Sequence, residues 1–144
     1  MKNEAEKLFL KYKKHFIKLL GKNGMHDDEF KKIIPFVNGV YCQDNAIIKQ
    51  GYYIINTDMS TGKGIHWLAC YQTKKTVYLY DSFSRTPAYL VPLFVKKINK
   101  KGLKIVESDP TDKEQYGDTQ VCGQLCCAWL LCVKELGIRK ALTI

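Results

Sequence analysis

The segment from Cys122 to Leu136, CGQLCCAWLLCVKEL, limits the fold more than any other part of the chain. From Cys122 to Val133 it carries no charge, and apolar side chains point in every direction around a 3.6-residue helix. Such a helix must be covered on all sides, so it is expected to be central, with a sheet against it and other helices around it. Gly137 is placed to end it.

The rest of the chain supplies those covers. Residues 2 to 20 read as an amphipathic helix in a Lys-rich N-terminal stretch, residues 1 to 22. Leu8, Tyr12, Phe16 and Leu19 recur at helical spacing and Gly21 stops the run. Glu29 to Ile34 reads as a short helical turn stopped by Pro35, and Asp44 to Lys49 as another. Tyr52 to Asn56 is a compact aromatic and β-branched strand. Thr57 to Gly64 is a glycine-containing loop. Ile65 to Gln72 and Thr76 to Tyr80 then flank Thr73-Lys74-Lys75, a hairpin connection. Pro87 opens a helix carrying Leu90, Leu93, Phe94 and Ile98, ended by Gly102 behind a run of lysines. Leu103 to Val106 is a last strand, and Ser108 to Thr119 a polar loop. The expected architecture is one α+β domain over residues 1–144, with a central helix against a small, mainly antiparallel sheet.

With 46% apolar residues in 144, the chain can bury a core without disulfides. Twenty-three Lys and Arg face 14 Asp and Glu, a net charge of +9 at pH 7. That excess favours polyanions. Arginine, the better reader of bases, occurs only at 85 and 139, which disfavours sequence-specific readout and leaves non-specific electrostatic binding to nucleic acid open. The first 20 residues alternate Lys and Glu with single apolar positions, so no secretory leader is expected. No apolar run approaches the ~18 residues that span a bilayer, so no membrane partner is expected. Cys42, Cys70, Cys122, Cys126, Cys127 and Cys132 make a poor disulfide framework and suit buried thiols in a reducing compartment. A zinc site from Cys122, Cys126 and a His matches no common ligand spacing, and no metal is expected.

Cys122 opens the central helix behind a polar loop. A helix N-terminus favours thiolate over thiol through its unpaired N–H groups and dipole. Gly123 would let a substrate carbonyl approach the backbone there. The bland reading, an inert core thiol, suits Cys127 and Cys132 better, and Cys126 is left undecided. His66 stands early in its strand beside Trp67 and is the expected base. His15 and His26 read as surface or core-edge residues. Asp81 ends the partner strand, and a hairpin of this length returns it to His66, whose tautomer it can fix. Alone, Asp81-Ser82 would equally suit a turn cap. Gln115 is the candidate oxyanion donor together with the Cys122 N–H, and Gln120 is its competitor. Trp67 is expected to pack against the imidazole or line the substrate groove.

Together these residues resemble the adenain-like cysteine proteases: the adenovirus maturation protease and its relatives in Polinton/Maverick elements, adintoviruses and virophages, and more distantly the SUMO proteases. The likeness rests on Gly64-Ile65-His66-Trp67-Leu68-Ala69, on Val77-Tyr78-Leu79-Tyr80-Asp81-Ser82-Phe83, and on Gln115 to Cys127 as a Gln-x6-Cys-Gly block with Cys-Cys just after it. Phe36 to Tyr41 and Gly51 to Asn56 are similar to the family's opening segment. The match covers about residues 26 to 136.

The resemblance implies a papain-like fold of the adenain/SUMO-protease type. It implies a viral endopeptidase that cuts virion precursor proteins at Gly-containing sites. It implies His66, Asp81, Gln115 and Cys122 as catalytic and Trp67 and Gly123 as substrate-binding. It also implies work in the virion and host nucleus, or a cytoplasmic virus factory, as a monomer, with DNA or an activating peptide as candidate cofactors. The chain has no Cys between 71 and 121, where adenain keeps the thiol that couples to its activating peptide. Two other readings stand beside this one: an isopeptidase removing a ubiquitin-like modifier, and a basic DNA-binding protein with a vestigial protease site.

Overall fold

The computed structural model describes residues 3–59, 66–108 and 120–144. In chain order the elements are α1 (Glu4–Leu20), α2 (Asp27–Ile33), β1 (Gly39–Cys42), β2 (Gly51–Asn56), β3 (Trp67–Gln72), β4 (Thr76–Tyr80), α3 (Pro87–Leu90), α4 (Pro92–Lys100), β5 (Lys104–Glu107), α5 (Cys122–Leu136) and α6 (Ile138–Ala141). The five strands form one open sheet in the order β1-β2-β3-β4-β5. The fold is mixed α+β.

The sheet is mixed rather than mainly antiparallel. Its centre, β2-β3-β4, is antiparallel, while β1 and β5 run parallel to their neighbours at the two edges. Parallel neighbours need a crossover. The β4–β5 crossover carries α3 and α4; the β1–β2 crossover is the segment 43–50.

That segment was expected to contain a helical turn and does not. A turn at residues 43–45 is followed by non-helical chain. The carbonyls of Asp44 and Ala46, which a helix would use internally, accept from Lys97 Nζ at 2.6 and 3.1 Å. The helix expected from Pro87 is two helices. Pro92 has no N–H and disfavours helical backbone before it, so Val91 sits at φ −135°, ψ 60°.

Alternation along the strands sorts side chains onto two buried faces. Ile54, Ala69 and Tyr80 face α5; Tyr53, Ile55, Leu68, Cys70, Val77 and Leu79 face Leu90, Val91, Phe94 and Ile98 of the α3–α4 segment. Helix α5 lies between the sheet and α1, which accounts for its apolar circumference. Trp129 at its middle is fully buried and stacks on Tyr80 at 5.5 Å. Its indole N–H reaches Ser108 Oγ at 3.0 Å and the Ala141 carbonyl at 3.2 Å, tying β5 and α6 to the central helix. Helix α1 buries Ala5, Phe9 and Phe16, with Leu8 and Tyr12 partly covered. Leu19, expected on that face, is 58% exposed, because the buried stripe lies one position round the helix. No helix among the described residues is long and apolar enough to cross a membrane.

Candidate active site

The β3–β4 hairpin closes as its sequence predicts, with the Thr73 N–H donating to the Thr76 carbonyl at 2.9 Å. Register along it pairs Ala69 with Tyr80. His66, just before β3, and Asp81, just after β4, therefore meet at one end of the sheet. His66 Nε2 is hydrogen-bonded to Asp81 Oδ1, and both residues are buried. The chain also turns at Asp81, whose carbonyl accepts from the Ser84 N–H at 2.9 Å. The turn role and the pairing role coexist, through backbone and side chain.

The middle of α5 packs on β3, and its N-terminus brings Cys122 to the same place. The residue before Cys122 is Val121, whose side chain cannot cap, so the first-turn N–H groups stay available. Burial raises the Cys122 thiol. The His66 imidazole and backbone N–H groups of Trp67 and Gly123 outweigh it, and the thiol ends below its ordinary value. Burial likewise pushes His66 down. Hydrogen bonds to Asp81 and Cys122 overcome it and raise the imidazole to about 9. Burial raises the Asp81 carboxyl too, but His66 and then Arg85 bring it below its usual range. All three shifts favour the charged forms, thiolate, imidazolium and carboxylate, in a row. With Nε2 held by Asp81, Nδ1 is the nitrogen left for the thiol.

Several residues beyond the expected set complete the site. Arg85 donates to Asp81 Oδ2 from its backbone N–H at 2.9 Å and from Nε at 3.2 Å. Its guanidinium lies 4.8 Å above the Phe83 ring, and that ring lies 5.5 Å from His66. One signal was available: Arg85 is a rare arginine in a Lys-rich chain, four residues after Asp81. Met25 had none. It covers Gly123, where an added Cβ would stand 2.7 Å from Met25 Sδ. The missing Cβ of Gly123 thus points at the core, where its small size serves packing.

Trp67 neither packs on the imidazole nor stands free. Its ring meets Phe30 edge-on at 5.0 Å, and its indole N–H donates to the Met25 carbonyl at 3.1 Å. The Trp67 backbone bridges two thiols: its N–H serves Cys122, and its carbonyl accepts from Cys126 Sγ at 3.3 Å. Gln124, beside Gly123, is fully buried and donates from Nε2 to the Gly21 and Asn23 carbonyls at 2.9 and 3.0 Å. It ties the α1–α2 connection over the start of α5.

His15 and His26 are exposed, as expected. Gln120 is exposed, with Oε1 3.8 Å from where a Cβ at Gly24 would stand. Gln115 lies outside the described residues. Among the described residues no cluster of three or more His, Cys, Asp or Glu is arranged to hold a metal ion. No protein-family model matches the chain, and no curated protein matches it.

Proposed function

We propose that the chain is a cysteine endopeptidase of the papain-like, adenain/SUMO-protease type, a viral or viral-element enzyme that processes virion precursor proteins at Gly-containing sites. The observation that carries this reading is the continuous series Cys122–His66–Asp81 at one end of the sheet, with the thiol held low and the imidazole high. The Gly-containing substrate and the viral setting come from the sequence resemblance.

In this mechanism the Cys122 thiolate adds to the scissile carbonyl carbon. The negative charge moves to the carbonyl oxygen, met by the Cys122 N–H and by the Gln115 amide. The C–N bond then breaks, and the leaving amine takes the proton of the His66 imidazolium. Neutral His66 next draws a proton from water, which adds to the thioester. The C–S bond breaks, the acid departs, and the thiolate–imidazolium pair returns. Asp81 keeps Nε2 protonated throughout, so that Nδ1 carries the moving proton. DNA or a peptide would act on this cycle as an activator and supply no atom to it; the net charge of +9 favours DNA.

The test is cleavage of a Gly-Gly peptide by the purified chain, with and without DNA, against Cys122→Ala. Cleavage should vanish in the variant. Equal cleavage by both would overturn the assignment.

A further inference from the structure

We infer that Arg85 is a positioning residue that shares the Asp81 carboxylate with His66, and that this sharing sets the pH at which the imidazolium of the pair is lost. The inference rests on the cysteine-peptidase reading of the site and adds a control on its proton equilibrium.

The two oxygens of Asp81 are divided. Oδ1 serves His66; Oδ2 takes both donors of Arg85, at 2.9 and 3.2 Å. The Asp81 side chain is 4% exposed and the Arg85 side chain 40%, so the guanidinium reaches in from the rim to a buried anion. On its way it covers Phe83, which in turn covers His66. A buried carboxylate held by one titratable and one permanent cation gives each only part of its field. Lysine, the chain's usual cation, has no planar fork with which to hold Oδ2 and lie over a ring together.

Among the described residues, the other groups facing the pair come from two elements. From α5 come Cys122 and Cys126; from β5, Glu107 lines the same small cavity as Asp81 and Arg85. Removing the guanidinium leaves the whole Asp81 charge to His66, which then keeps its proton to higher pH. It also loosens the carboxylate that orients the ring, so turnover falls. These two effects separate Arg85 from mere scaffolding. Damage that releases Asp81 from His66 would move the imidazole the other way, back toward its free value of about 6.5.

The experiment uses the full chain and its Arg85→Gln, Arg85→Lys and Asp81→Asn variants. Iodoacetamide alkylation of Cys122, located by mass spectrometry, is followed across pH. Its rate should climb in two steps, one where the ion pair forms and one where the imidazolium is lost. Arg85→Gln should raise the upper step by roughly half a pH unit, about threefold in the proton equilibrium. On a Gly-Gly peptide it should also lower kcat several-fold at unchanged KM. Arg85→Lys should restore the step but only part of kcat, and Asp81→Asn should lower the step. An upper step in Arg85→Gln that stays put, or that falls as in Asp81→Asn, overturns the inference. Alkylation needs no substrate, so a chain that shows both steps yet cuts no peptide refutes the endopeptidase reading and leaves this test intact.

Discussion

Cys122 and Cys126 stand one turn apart on α5, and both are buried. Their chemistry is opposite. Burial pushes Cys126 well up, and nearby Cys122, Cys127 and Asp81 add to the rise. Cys127 and Cys132 are raised as well, chiefly by burial. At Cys122 burial acts in the same direction and loses. The difference lies in the donors. Cys122 sits where the helix N–H groups have no intrahelical carbonyl to meet, beside an imidazole whose protonated form Asp81 favours. Cys126 has a helix turn above it and spends its proton on the Trp67 carbonyl. One turn of helix separates a candidate nucleophile from a packing residue.

Removing the imidazole should abolish that contrast. In His66→Ala, Cys122 retains burial and loses its largest opposing interaction, so its thiol should rise to join the others. Peptide cleavage should fall by at least on the order of 10⁴-fold, the scale seen when one member of such a triad is lost. Alkylation at neutral pH should slow toward the rates of Cys126 and Cys127. A Cys122 that still reacts rapidly in His66→Ala would mean the helix terminus alone holds the thiolate.

A smaller effect comes from pH. The imidazole is raised to about 9, so the productive ion pair persists above neutrality and is lost as pH climbs through that value. Above it, kcat/KM should decline about tenfold per pH unit. An alkaline limb near 6.5 would show that Asp81 does not hold His66 in solution.

The contrast within α5 was partly legible in the sequence. The apolar run announced a central helix, and the polar residues before it marked Cys122 as its first residue. The hairpin residues Thr73-Lys74-Lys75 were enough to bring His66 and Asp81 together, because strand lengths fix where a hairpin returns. Other features depend on contacts remote in sequence. Strand β1 is a four-residue edge that owes its place to pairing with β2. Segment 43–50 loses its helical turn to Lys97, about 50 residues away. Arg85 and Phe83 carry no periodicity, and their roles emerge only once Asp81 and His66 are adjacent. Gln124 resembled one more polar residue at a helix start; its partners at Gly21 and Asn23 lie about 100 residues earlier.

Gly123 gives the mildest and most discriminating test, since sequence and structure assign it different work. An approach route for substrate would make Gly123→Ala a catalytic lesion with normal stability. In the structure its added Cβ would stand 2.7 Å from Met25 Sδ and 3.0 Å from Met25 Cβ and Cγ. The sulfur end of the side chain can turn aside, but Cβ is fixed to the backbone, and Met25 is anchored because its carbonyl accepts from the Trp67 indole. Gly123→Ala should therefore cost about 1–3 kcal/mol by overpacking. The double variant Gly123→Ala/Met25→Ala, which gives the new methyl room, should regain part of that loss relative to Met25→Ala alone. Thermal unfolding of the four proteins, with kcat and KM for each, decides between the two. A Gly123→Ala protein of unchanged melting temperature and reduced kcat would return this glycine to the substrate side of the helix.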